Sequence, residues 1–263
     1  MSEPRTDCRT DGYEDDWRLE CYEELTSTSD ICLERARKGE APGLALLALR
    51  QTKGRGSRGR NWANAGQSLA FSVLLDAGQA GRDALGGWPF VASLAFFEGL
   101  ATSVPAARAR LMIKWPNDIL LDGQKLGGIL IEREGPMLVI GMGANLQQPP
   151  QEAQIGRTAA SLGQCGPVPP PADVAKAILA QLAHWCTVWR QDGFAVLCAE
   201  WRKRAHPVGT PLVVSGGTTY EKGQFAGLAA DGRLLLETEQ GMKTIATGDI
   251  LLAEQGADVA SRH

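Results

Sequence analysis

Apolar positions along the chain fall into two textures. Up to about residue 205, stretches of helical periodicity alternate with short apolar runs, and beyond it only short alternating runs remain. Residues 1–16 are polar and mixed in charge (Glu3, Asp7, Asp11, Glu14, Asp15 and Asp16 against Arg5 and Arg9), which predicts a flexible lead-in. The spacing predicts a helix over 29–38. Leu44, Ala45, Leu46, Leu47, Ala48 and Leu49 then read as a buried strand, and 69–75 as another. From 85 to 103, Phe90, Leu94, Phe97 and Ala101 recur at helical spacing, with Pro89 in the first turn, where proline is tolerated.

The middle of the chain is strand-rich, with short apolar runs at 111–114 and 119–121. Asp122-Gly123 is a hairpin signal, and 126–131 and 137–142 read as paired strands. Residues 147–171, rich in Pro, Gly and Gln, predict a long connection. A helix over 172–190 carries Val174, Ile178, Leu182 and Trp185 on one face, and a second helix is expected over 194–204. After His206-Pro207, short runs near 212–214, 224–228, 234–237, 243–246 and 250–253 are punctuated by Gly216-Gly217, Asp231-Gly232 and Gly241. That pattern predicts a small antiparallel β-barrel of about fifty residues. The expected layout is a lead-in over 1–16, an α+β domain over 17–205 with a mixed or antiparallel sheet packed with helices, a barrel over 206–255, and a flexible tail over 256–263.

Bulk properties narrow the chemistry. The net charge of -3 gives no general reason for nucleic-acid binding, so any anion site must be a local basic cluster. No apolar run is long enough to span a bilayer, and no charged segment followed by an apolar one marks a signal peptide. The six cysteines (Cys8, Cys21, Cys32, Cys165, Cys186 and Cys198) are scattered, with no CxxC pair and no neighbouring histidine. This argues against a zinc site or a disulfide scaffold and fits a reducing cytoplasm.

One local basic cluster is present, Lys53-Gly54-Arg55-Gly56-Ser57-Arg58-Gly59-Arg60. Its glycines match GxGxxG, but a dinucleotide fold needs a helix directly after them, and here Asn61-Trp62 and then a strand follow. The Gly-Lys-Ser/Thr ending of a P-loop is absent too. What remains is a loop whose glycines admit a ligand close to the backbone, and whose guanidinium groups suit phosphate and carboxylate oxygens. A solvated basic turn has the same composition.

Around this loop, ordered motifs resemble those of biotin–protein ligases from about Glu23 to Glu254. They are Ser27-Thr28-Ser29, Gln51 ahead of the Gly54–Arg60 loop with Trp62, Lys114-Trp115-Pro116-Asn117-Asp118, Lys125-Leu126-Gly127-Gly128-Ile129-Leu130, and Gly141-Met142-Gly143-Ala144-Asn145. Each is weak alone, but five in the correct order at plausible spacing are specific. Two positions depart from the pattern: Ser29 stands where asparagine is frequent, and Ser57 where many members carry another arginine. The resemblance implies a catalytic domain of class II synthetase-like fold followed by an SH3-like barrel.

It also implies two steps. Biotin carboxylate attacks the α-phosphorus of ATP to give biotinyl-adenylate and pyrophosphate, and a carrier-protein lysine then attacks the acyl carbonyl and releases AMP. The carboxylate is already ionised near neutrality, so the first step needs cations rather than a base. The expectation gives this task to Arg55, Arg58, Arg60 and Lys125, with Mg²⁺ accompanying ATP and no dedicated metal site in the protein. In the second step the amine, with an ordinary pKa of about 10.4, is neutral on the order of once in a few thousand at pH 7. Asp118 is the candidate to orient or deprotonate it.

Biotin is expected against Ser27, Thr28, Ser29, Gln51, Arg55, Gly56, Ser57, Lys125, Gly127, Gly128 and Ile129. ATP is expected against Arg58, Arg60, Trp62, Lys114, Asn117 and Asn145. Ser27 to Ser29 also suit a helix N-cap, and Trp62 and Trp115 suit either adenine or core. His184, His206 and His263 read as structural or surface residues.

Lipoate–protein ligases are the nearest enzyme alternative; the Lys-Trp-Pro-Asn-Asp and arginine-loop pattern favours biotin. A biotin-binding module without catalysis is disfavoured by Lys125 and the arginines. About twenty residues precede the catalytic motifs, too few for an N-terminal DNA-binding domain, so no DNA partner is expected. The expected partner is a biotin carboxyl carrier protein or domain, such as that of acetyl-CoA carboxylase, with no membrane involved. A homodimer paired through an exposed edge of the central sheet is compatible with the sequence.

Overall fold

The computed structural model describes residues 17–62, 68–80, 84–155, 158–215, 220–246 and 248–252. The lead-in and tail expected at 1–16 and 256–263 lie outside these residues, as does the 63–67 part of the glycine-rich region.

Seven strands, β1 (Arg18–Leu25), β2 (Leu44–Gln51), β3 (Ser68–Asp76), β4 (Leu111–Lys114), β5 (Asp118–Leu121), β6 (Gln124–Glu134) and β7 (Met137–Asn145), form one mixed sheet in the order β1-β2-β3-β7-β6-β5-β4. Only β1 and β2 pair in parallel, joined by helix α1 (Thr28–Arg37), because a parallel pair needs a crossover. The turn between β5 and β6 has positive φ at both Asp122 (48°) and Gly123 (77°), as a two-residue hairpin of matching twist requires.

Side chains of β2 alternate between two apolar clusters. Ala45 and Leu47 join α2 (Trp88–Ser103) and α4 (Pro171–Asp192) on one face, while Leu44, Leu46 and Ala48 join Cys32 and Leu33 of α1 on the other. A strand covered on both faces reads as a continuous apolar run, which is why Leu44 to Leu49 shows no polar alternation. α4 buries Val174, Ile178, Leu182 and Trp185, the face that the spacing predicts. Trp88 and Trp189 lock α2 to α4 edge to face, with centroids 5.3 Å apart.

The long connection holds a short helix α3 (Glu152–Ile155) and a 3-10 turn (Leu162–Cys165), and α5 (Phe194–Arg204) follows α4. The last five strands, β8 (Pro211–Ser215), β9 (Tyr220–Leu228), β10 (Leu234–Thr238), β11 (Gly241–Ile245) and β12 (Asp249–Leu252), make an antiparallel sheet in the order β11-β10-β9-β8-β12. Its Leu212, Val214, Phe225, Leu234, Leu236 and Ile250 share the larger apolar cluster with Phe90 and Trp201. Burial of these side chains against the helices fixes the small sheet beside the end of β4, where the Lys-Trp-Pro-Asn-Asp turn begins.

β1 is a strand that the apolar pattern does not announce. Glu20, Glu23 and Glu24 interrupt it, yet Leu19, Cys21, Tyr22 and Leu25 are buried at the sheet edge. Two of the outward acids are matched with base: Glu20 pairs with Arg35 at 2.9 Å and with Arg18 at 3.1 Å, and Glu24 pairs with Arg50.

Candidate active site

A cleft opens where α1, the arginine–glycine loop and strands β3, β6 and β7 meet. Of the residues expected to contact biotin or ATP, Ser27, Thr28, Ser29, Gln51, Arg55, Gly56, Ser57, Trp62, Asn117, Lys125, Gly128 and Ile129 line it, together with Asp118. Residues far apart in sequence are thus gathered at one place by the sheet order.

One wall is built by the start of α1. Ser27 caps the helix, its hydroxyl accepting from the Asp30 amide at 3.3 Å in extended backbone. Gln51 Oε1, at the end of β2, accepts from the Thr28 amide at 2.7 Å. Ser72 Oγ donates to Thr28 Oγ1 at 2.7 Å and lies 3.1 Å from Ser29 Oγ. All three hydroxyl residues of this cluster are buried. The site has Ser29 where the family pattern favours asparagine, and the hydroxyl is satisfied by Ser72. Ser72 is a residue that sequence reading misses, since it stands inside the apolar run of β3.

The opposite wall carries charge. Lys125 Nζ donates to Asp118 Oδ1, and Lys114 Nζ lies 2.9 Å from Asp118 Oδ2. Burial alone would raise the Asp118 pKa, but Lys114 and Lys125 outweigh it and hold the carboxyl at about 2. A register shift between Ile119 and Leu120 sets Asp118 opposite Gly128 and Leu120 opposite Lys125. A Cβ on Gly128 would sit 3.1 Å from Lys125 Nζ and 3.4 Å from Asp118 Oδ1, so glycine leaves this pair its room. The backbone of Lys125 is also tied to the returning connection, its carbonyl accepting from the Ala160 amide at 3.0 Å. Asn117 stitches its turn to β6 reciprocally, Nδ2 donating to the Ile129 carbonyl at 2.7 Å while its own carbonyl accepts from the Ile129 amide at 2.8 Å.

The loop between them is self-bonded. Gly56 N donates to Arg60 O at 2.7 Å, Trp62 N to Gly54 O at 2.9 Å, and a 3-10 turn at Ser57–Gly59 puts Arg58 at φ 60°. Arg60 folds back on Ser57, its Nη2 donating to Ser57 Oγ at 3.1 Å and its Nε to Ser57 O at 3.2 Å. A guanidinium therefore lies against the very position where an arginine is missing. Trp62 packs over Gly143, where a Cβ would come within 2.6 Å of the indole, and its buried Nε1 has no hydrogen-bond partner. The Gly-x-Gly pattern of β7 thus makes the cleft floor. Gly141, Met142, Gly143 and Leu130 line it from within the quoted motifs, whereas Ala70 and Phe71, also in its lining, are apolar strand residues that give no sequence signal of a site.

Five expected contacts stand elsewhere, as does Trp115. Gly127 faces the helical layer, where a Cβ would meet the Phe96 ring and the Gly143 carbonyl. Asn145 is buried and donates to the Ala160 carbonyl at 2.8 Å, so its amide holds the connection rather than lining the cleft. Lys114 is engaged with Asp118 and with Ile250 O at 2.9 Å. Arg58 and Arg60 belong to the loop and do not line the cleft. Trp115 is buried and donates from Nε1 to Gly232 O at 3.3 Å, which makes it core.

The profile of the Biotin/lipoate A/B protein ligase family matches residues 22–145, and that of the Biotin protein ligase C terminal domain matches residues 212–252. The chain is 33% identical over 223 residues to the biotin–[acetyl-CoA-carboxylase] ligase of Paracoccus denitrificans, covering 80% of this chain and 92% of that protein. It is 32% identical over 245 residues to the enzyme of the same name from Mycobacterium tuberculosis, covering 89% of each. A solved biotin protein ligase from Aquifex aeolicus, in complex with biotin and ATP, superposes with a TM-score of 0.77 at 27% identity, over 89% of this chain and 97% of that one. With the matching site motifs placed around one cleft, the chain belongs to the biotin–protein ligase family.

Proposed function

We propose that this cleft activates biotin with ATP to biotinyl-5'-AMP and passes the acyl group to one lysine of a biotin carboxyl carrier domain. The observation that carries this reading is the Lys125–Asp118–Lys114 triad beside a mixed polar and apolar cleft. In the first step a carboxylate must approach a polyphosphate, and Lys125 supplies a fixed cation where negative charge gathers. Asp118 holds that ammonium in place and keeps it from turning to solvent. Mg²⁺ enters with ATP as the ion of the substrate and offsets phosphate charge.

In the second step Asp118 acts on the incoming amine by orientation. A carboxyl held at about 2 is a weak proton acceptor. It can still accept a hydrogen bond from an ammonium and align it before the proton leaves to water. The hydroxyls of Ser27, Thr28 and Ser29 and the amide of Gln51 suit the ureido head of biotin, and Ile129, Met142 and Phe71 its apolar tail. Trp62, with an unused indole N–H and an exposed edge of the loop beside it, suits adenylate. A cytoplasmic setting fits, since none of the five described cysteines is in a disulfide. Among the described residues no helix is long and apolar enough to cross a membrane.

The test of transfer is direct. A purified biotin carboxyl carrier domain incubated with the protein, biotin and ATP should gain one biotin on one lysine by mass spectrometry. A carrier that stays unmodified while adenylate accumulates would restrict the reading to activation.

A further inference from the structure

Arg55 is gripped from outside its own loop by two carboxylates. Its guanidinium meets Glu132 of β6 in a two-pronged contact, Nη1 to Oε1 at 2.9 Å and Nη2 to Oε2 at 2.6 Å. Nη2 also lies 2.8 Å from Asp30 Oδ1, in the first turn of α1. Two acids against one guanidinium consume its charge locally. Arg55 is therefore better placed to anchor the loop than to attract a phosphate, although its side chain lines the cleft.

The anchor acts on more than one residue. Arg55 bridges Asn61 across the base of the loop, and the Gly56–Arg60 and Trp62–Gly54 bonds make the segment one body. Fixing Arg55 at one side, with Trp62 packed on Gly143 at the other, sets Gly56 and Ser57 over the cleft. The three side chains are 36% (Arg55), 47% (Asp30) and 25% (Glu132) exposed. Pairs this open are weak enough to break reversibly, and a small network of them biases opening by a factor of about three to ten.

We propose that Glu132 is a positioning residue which, with Asp30, latches Arg55 and so keeps the arginine–glycine loop closed over the acyl-adenylate until the acceptor amine arrives. The latch holds a reactive intermediate without touching it. The inference rests on the ligase reading for its substrate and on the geometry alone for its closure.

The experiment uses the full chain with Glu132→Gln and, separately, Asp30→Asn. Enzyme preloaded with biotin and ATP is chased, and release of biotinyl-adenylate is followed; trypsin cleavage after Arg58 is followed in parallel. Glu132→Gln should release adenylate about three- to tenfold faster and speed trypsin cleavage after Arg58, which needs the loop to open, by a similar factor, while biotin-dependent pyrophosphate exchange at saturating substrate stays within about twofold. A purely structural role would lower exchange and melting temperature together instead. Wild-type release and cleavage rates in both variants would overturn the latch, and should Glu132→Gln fail to fold, Asp30→Asn decides alone. If the wild type shows no biotin-dependent exchange, the ligase reading fails, and trypsin cleavage, which needs no turnover, still judges the latch.

Discussion

The ammonium of Lys114, at the end of β4, donates a 2.9 Å hydrogen bond to the carbonyl oxygen of Ile250 in the small C-terminal sheet. The same ammonium pairs with Asp118 at 2.9 Å, and Asp118 in turn takes the bond from Lys125. Through Lys114, one buried carboxylate thus links the cleft to a second sheet.

Lys114→Met should separate a binding role from a bracing role. Removing one partner of a buried pair costs roughly 3 kcal/mol or more. The expected result is a melting temperature lower by several degrees and a reduced exchange rate, with KM for ATP close to wild type. A tenfold rise in that KM with unchanged melting would instead return Lys114 to the nucleotide.

Asp118→Asn should slow transfer from preformed adenylate to the carrier, by about tenfold or more, since the amine loses its aligning acceptor. Because Lys114 and Lys125 hold the Asp118 pKa at about 2, below its ordinary 3.8, its contribution to stability is complete above that ordinary value. It is lost as pH falls from there through 2. The transfer rate of the wild type should therefore show no titration assignable to Asp118 between pH 5 and 8; an inflection there that vanishes in the asparagine variant would make it a base after all.

His206 makes the opposite use of burial. Burial first, and Lys114 second, push its pKa from 6.5 down to about 4. Between those values the unfolded chain takes up a proton that the folded chain refuses. Stability should then fall on acidification from about pH 6.5 to pH 4, by up to roughly 3 kcal/mol. Melting curves across that range for wild type and His206→Gln check this, the variant showing the shallower decline.

Arg60 resting on Ser57 bears on retention of the intermediate. If its guanidinium supplies the charge that Ser57 lacks, Ser57→Arg should leave adenylate release within about twofold, whereas Arg60→Ala should speed it several-fold. Slower release in Ser57→Arg would mean that the serine does leave the loop leaky.

Much of this arrangement is legible in the sequence. Helices with a clear apolar stripe, such as α4, and the five short strands of the C-terminal sheet follow from spacing and turn residues. Motif residues Lys125, Asp118 and Arg55 carry charge in a pattern with few other uses. β1 was hidden because Glu20 answers Arg18 and Arg35, and Glu24 answers Arg50, rather than solvent alone. Ser72 was hidden because a serine in an apolar strand makes sense only once the facing element is known. Asn145 and Gly127 also sit in site motifs, and in the structure their neighbours are Ala160 and Phe96.

The most direct test of the account is biotin-dependent exchange of labelled pyrophosphate into ATP by the purified chain, beside lipoate as control and Lys125→Gln as variant. The account predicts exchange with biotin, none with lipoate, and a loss of about a hundredfold or more in Lys125→Gln. Exchange driven by lipoate, or exchange with biotin that survives the loss of Lys125, would contradict it.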